Sequence, residues 1–198
     1  MIQTEQDSRN AQAGKNLRYL LCDVSGRFES ESEGEWVCSP TQCLARAIVG
    51  SPGIMVVHFG PMLFQQREAL VKLCADLKKN TETGKPPLLA LLHQRHRRLI
   101  EDLKKAGVDF VKFITETHLS ASLMIEMIDG LNTEDRVERH LAVLCPYLHY
   151  DAFDASHEMT VCGAYLDRMV LGGERLHEVC ETENHLTCKY FLNPRSKS

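Results

Sequence analysis

The chain has 198 residues, a formal net charge of −4 and 43% hydrophobic residues. That balance argues against nucleic acid as a partner, because phosphate neutralisation needs a basic face. No apolar run approaches the roughly 18 residues of a membrane span, and the length suits one ordinary domain with an appendage.

Residues 1–16, MIQTEQDSRNAQAGKN, are polar and carry no apolar stretch of the kind that opens a secretory signal. A mobile tail and a cytoplasmic, thiol-reducing location are expected. LRYLLCDV (17–24) is short, continuous and apolar and ends in Ser-Gly, which suits a buried parallel strand. The acidic SGRFESESEGE reads as a loop, and Trp36–Cys38 as a short strand. Ser39 or Thr41 caps a helix through CLARAIVG, stopped at Gly50 with Pro52 beyond. GIMVVHF (53–59) is a strand between Pro52-Gly53 and Gly60-Pro61. Apolar residues at helical spacing mark a helix over 62–79. LLALL (88–92) is a third strand, RHRRLIEDLKKAG a helix ending at Gly107, VDFVKFI (108–114) a strand, and ETHLSASLMIEMIDGL a helix capped near Ser120. Thr133 is a candidate N-cap for the next helical run, with Arg136 and Val137 in its first turns.

Strands alternating with helices at this spacing predict an α/β fold, a doubly wound parallel sheet. The expected organisation is a mobile segment over 1–16, an α/β domain over 17–131, and a small, mostly helical cysteine module over 132–198. Residues 17–130 resemble a response-regulator receiver domain. The likeness lies in the 53–61 run with its trailing proline, in KPPLLALL, and in LIEDLKKAGVDFVKF with its Ala106-Gly107 turn. The resemblance implies a signalling role and a Mg²⁺-dependent aspartyl phosphorylation site, and the chain departs from it there. Only Asp23 stands for the acidic cluster, Val57 or His58 falls where the acceptor carboxylate belongs, Leu92 falls near the Ser/Thr position, and only Lys112 stands for the lysine. Without an acceptor carboxylate that phosphorylation has no chemistry to run on. Asp23 reads instead as a strand-end residue bonding backbone N–H groups, and His58 as a hydrogen-bonded residue at the core's edge. His93, Arg95, His96, Arg97 and Arg98 form a basic run that reads as the solvated face of a helix.

The segment from Arg139 to Phe191 carries the densest chemistry. It holds four of the eight cysteines, Cys145, Cys162, Cys180 and Cys188, separated by 16, 17 and 7 residues, and five of the nine histidines. Thiolates and imidazoles bind Zn²⁺ and iron–sulfur clusters, and four of them complete a tetrahedral zinc site or a [4Fe–4S] cubane. Packed thiols and disulfides are the competing readings. So short and polar a segment needs a metal, a disulfide or a neighbouring domain to fold. The expected ligands are Cys145, Cys162, Cys180 and Cys188, with His149, His157, His177 and His185 as substitutes or supporting groups. The cofactor expected first is a [4Fe–4S] cluster, with zinc as the alternative.

The sequence therefore points first to a non-catalytic regulatory protein in which a receiver-like domain without its acceptor is joined to a redox-sensing or interface-stabilising metal centre. A zinc-bound scaffold is the second reading. A cysteine enzyme using His177 or His185, with Glu178, Glu181 or Glu183 as orienter, is the third. A protein partner is expected, a homodimer being one form of it.

Overall fold

The computed structural model describes residues 18–26, 28–29, 34–116 and 119–195. The expected mobile segment 1–16 and part of the acidic loop lie outside these. Five strands, β1 (Tyr19–Cys22), β3 (Gly34–Val37), β4 (Ile54–Phe59), β5 (Leu88–Leu92) and β6 (Phe110–Phe113), form one sheet in the order β3-β1-β4-β5-β6. Every pair is parallel. A two-residue pair, β2 (Phe28–Glu29) with β7 (Leu119–Ser120), lies outside it.

The continuous apolar runs follow from burial on both faces. Leu20, Cys22, Met55, Val57, Leu88 and Ala90 pack with helices α1 (Pro40–Gly50), α2 (Phe64–Lys79) and α3 (Arg97–Lys105). The alternate residues Tyr19, Leu21, Ile54, Val56, Leu89 and Leu91 pack against α4 (Ala121–Asp129). Side chains in a strand alternate between faces, so one sequence run serves two layers. This is an α/β fold with helices on both sides of a parallel sheet, in one of the common doubly wound orders.

Local signals set the helix ends. Ser39 caps α1 by accepting from Gln42 N, and Pro40 occupies the first turn. Ser51, not Gly50, takes the left-handed position that ends it. Ser120 caps α4. Gly107, with φ +86°, ends the turn after α3.

Beyond α4 the chain differs from the expectation of a mostly helical module. Asn132, not Thr133, caps a single 3₁₀ turn (Thr133–Asp135), and α5 spans Val137–Val143. Then β8 (Leu148–Ala152) and β9 (Glu158–Cys162) form an antiparallel hairpin. Its turn is tied by Asp154, whose Oδ1 accepts from the N–H groups of Ser156 and His157 at 2.7 Å. A π-helical turn (Arg175–Cys180), a 3₁₀ turn (Glu183–Thr187) and α6 (Lys189–Leu192) complete the tail. Val137 and Leu144 join the core of the sheet, whereas the tail's own buried cluster begins at Cys145.

Candidate functional site

Each tail cysteine sits where a short element ends. Cys145 follows α5, Cys162 closes β9, Cys180 closes the π-helical turn and Cys188 follows the 3₁₀ turn. Backbone bonds draw these ends together: Cys145 N donates to Cys180 O at 2.8 Å, and Cys162 N to Met169 O at 2.9 Å. After Cys162 the chain doubles back through Leu166 and Asp167, both left-handed at φ 59° and 57°. That strain is of the kind that persists only where surroundings over-determine it. Here Tyr165 N and Asp167 N both donate to Cys162 O, and Asp167 meets His149 Nδ1 at 2.8 Å. His149 lies over Gly163, where any Cβ would stand 2.6 Å from the ring.

All four cysteines line one small cavity of about 10 Å³, together with Ala164, Met169, Leu171, Arg175, His185, Tyr190 and Phe191. Cys145, Cys162 and Cys180 are buried and Cys188 is half-buried; all are free thiols. Leu148, Ala164 and Leu171 join the three buried cysteines in one cluster, against which Tyr147, Tyr150, Tyr165, Met169, Leu176, Val179, Tyr190 and Phe191 pack. Burial pushes the thiols of Cys145 and Cys162 above their ordinary range, and that of Cys180 to about 12. The neighbouring thiols add to the rise. N–H groups of Tyr147, Ala164 and Tyr165 work against it by bonding sulfur. Among the described residues, no three His, Cys, Asp or Glu side chains are arranged to hold a single metal ion.

Of the four tail histidines singled out in the sequence, the structure brings only His185 to the cavity. His149, His157 and His177 are exposed, with Nδ1 against Asp167, Asp154 and Glu181 respectively.

The sheet carries a second polar cluster. Register pairs Cys22 with Val57, which sets Asp23 beside His58 at the C-terminal ends of β1 and β4. Asp23 Oδ1 lies 3.0 Å from His58 Nδ1 and accepts from Ser25 N and Oγ. Despite burial, these hydrogen bonds hold its carboxyl at about 2. His58 Nε2 lies 2.9 Å from His93 Nε2. Asp23 thus bonds a backbone N–H as expected, but the Asp23–His58–His93 chain is new; it depends on strand order, which no local sequence signal states. Lys112 does not join it and pairs with Asp135 at 3.4 Å.

The basic run is also more than a solvated face. Arg95 donates to Glu181 O, and Arg97 donates through its backbone to Tyr150 Oη and through Nη1 to Leu144 O. His96 is buried, stacks on Tyr150 at 3.7 Å and caps α3 through Nδ1, which accepts from Leu99 N. Its Nε2 therefore carries the proton and donates to Glu158 Oε1 at 2.6 Å, where Arg67 Nη1 also donates at 2.9 Å. Phe64 N donates to Ala155 O in the hairpin turn. These bonds seat the tail on the sheet unit around a cleft of about 1100 Å³ along the C-terminal strand edge. Leu141 and Leu144 pack on the sheet's core, while Leu148 turns to the tail cluster.

No helix among the described residues is long and apolar enough to cross a membrane. No protein-family model matches the chain, and no curated protein matches it.

Proposed function

We propose that the tail is a metal-binding module in which Cys145, Cys162, Cys180 and Cys188 hold a [4Fe–4S] cluster, mounted on a receiver-like sheet unit that acts as a non-catalytic platform. The observation that carries this reading is the convergence of four thiols, from four separate chain segments, on one small cavity. A purely packed cluster of that size would be marginal. All-thiolate ligation suits a cubane, whose four corners take one sulfur each around a volume rather than a point. Zinc is the second reading: four thiolates complete a tetrahedral site at about 2.3 Å, and the four sulfurs would have to draw together to reach one ion. A cysteine enzyme using His177 is disfavoured, because that ring is exposed against Glu181 and does not line the cavity of the cysteines.

The regulatory part of the reading rests on the interface. The strand order is one that receivers share, and the end of β4 offers His58 where an acceptor carboxylate would stand. The tail is bonded to the sheet unit through Arg95, His96, Arg97 and Arg67. Metal loss would loosen the tail, and the sheet unit would feel it through those bonds. A redox-sensitive cluster placed there serves as a sensor read by a protein partner.

The test is the visible spectrum and elemental content of protein purified without oxygen. Broad absorption with stoichiometric iron and sulfide supports the cluster. A colourless protein with one zinc selects the second reading. A protein with neither metal overturns both.

A further inference from the structure

We propose that the tail offers five donors for four ligand positions, and that His185 is a reserve ligand that takes the position of Cys188 when that thiolate is lost. The inference rests on the metal centre proposed above.

His185 is 3% exposed and lines the cavity with the four cysteines. Its Nδ1 lies 2.7 Å from Thr182 O. A carbonyl only accepts, so Nδ1 carries the ring proton and the neutral ring keeps a bare lone pair on Nε2. No described hydrogen bond reaches that nitrogen. A backbone carbonyl on one ring nitrogen and a metal on the other is the common arrangement of ligating histidines. Phe191 holds the ring edge-on at a centroid distance of 5.1 Å. The other three histidines differ in each respect: they are exposed and have their Nδ1 atoms against carboxylates.

The partner in the exchange is set by the backbone. His185 lies within the 3₁₀ turn Glu183–Thr187, and Cys188 follows it three residues later, its N–H donating to His185 O at 3.0 Å. Side chains three apart on a 3₁₀ turn eclipse one another. The turn and the residue that follows it therefore bring both side chains to one cavity. Cys145, Cys162 and Cys180 come from three other segments; His177 lies three residues before Cys180, but its ring is exposed against Glu181 and does not line the cavity. Cys188 is also the half-buried thiol of the four, the one that oxidants and alkylating agents reach first. Replacing its thiolate by a neutral imidazole raises the charge of the centre by one. A Cys₃His set still closes a zinc site, and histidine ligation raises the potential of an iron–sulfur centre. Loss of Cys188 would thus leave an altered centre rather than an empty one.

The test compares metal stoichiometry and the absorption spectrum of the full chain purified without oxygen, with cobalt replacing zinc if the native metal is zinc. Cys145→Ser loses about tenfold or more of the metal, the scale set by removing a supporting ligand or more. Cys188→Ser keeps most of it with a shifted spectrum. His185→Gln alone keeps both the content and the spectrum of the parent. The double variant, Cys188→Ser with His185→Gln, falls to the level of Cys145→Ser. Because the glutamine is tolerated alone, that fall is not misfolding. Cys188→Ser as empty as Cys145→Ser, a double variant as full as the single, or metal loss from His185→Gln alone would each overturn the reserve role. A parent protein without metal would overturn the centre itself, which is a separate result.

Discussion

The molecule has two regions with four cysteines each, and they use them differently. In the sheet unit, Cys22, Cys43 and Cys74 are fully buried among leucines and valines, and Cys38 is exposed. A hydrogen bond shared with Cys43, together with burial, pushes the Cys22 thiol far up, and burial does the same for Cys74. In the tail, four thiols and one imidazole line one cavity, with Ala164, Met169, Leu171, Tyr190 and Phe191 around them. Burial alone does not separate the two sets, because both contain buried members. What separates them is company: the first set is distributed through the large core of the sheet unit, whereas the second converges on one cavity.

The largest effect expected from that contrast is on metal removal. Stripping the metal with a strong chelator should unfold the tail and lower the thermal midpoint of the sheet unit, followed by Trp36 fluorescence. The tail's seat on the sheet includes the buried Leu144 contact, worth roughly 1.5–3 kcal/mol, and several charged hydrogen bonds of roughly 1.5–3 kcal/mol each. An unchanged Trp36 midpoint would make the tail an independent bead.

Next in size is Glu158→Ala. It would leave the half-buried Arg67 and the buried His96 without their shared acceptor, which costs about 1.5–3 kcal/mol on the scale of hydrogen bonds to charged groups. A loss in urea denaturation below about 1 kcal/mol, the value of an exposed pair, would show that this bridge does not couple the regions.

Acid should weaken the same joint. Burial lowers the pKa of His96 and of His140, so the folded state refuses protons that the unfolded chain accepts near 6.5. Their contribution is complete above 6.5 and declines as pH falls through that value, by up to about 1.4 kcal/mol per unit for each group. Glu158 has its own pKa lowered chiefly by Arg67 and His96 acting against burial, and loses its contribution below about 4.5. The groups around His96 are Glu158, Arg67, Tyr150 and the Leu99 N–H. Denaturation midpoints at pH 7.5 and 5.5 should differ less in His96→Asn than in the parent. An equal difference would remove His96 from the account.

The alternation of strands and helices was legible in the sequence because it rests on local signals: unbroken apolar runs at 54–59 and 88–92, Ser39 and Ser120 as caps, and Gly107 as a stop. The hairpin was missed although Asp154 with Ser156 two residues later is a turn signal, because Cys and His residues drew the reading toward ligands. The partners of Asp23 and His96 were not readable at all, since they lie 35 and 62 residues away and are fixed by strand register and docking. The cysteine set was legible as a set. Which histidine lines the same cavity was not, since that depends on which way a 3₁₀ turn faces.

A smaller effect is expected at the strand ends. Acetyl phosphate with Mg²⁺ should leave the intact mass unchanged, because both ring nitrogens of His58 are engaged and no carboxylate ends β4. A stable phosphate on an aspartate of residues 18–59 would restore the receiver's chemistry. Smallest of all, His149→Ala, His157→Ala and His177→Ala should leave metal content as it is, and loss from any of them would redraw the site.

The most direct measurement of the central claim sets the two groups of cysteines against each other in one readout. Metal is quantified in oxygen-free preparations of Cys145→Ser, Cys162→Ser and Cys180→Ser beside Cys22→Ser, Cys43→Ser and Cys74→Ser. The account predicts that the first three are empty. The second three should be loaded as fully as the parent, even where a buried hydroxyl costs them about 1–3 kcal/mol of stability. Equal metal loss from both groups, or none from either, would contradict it.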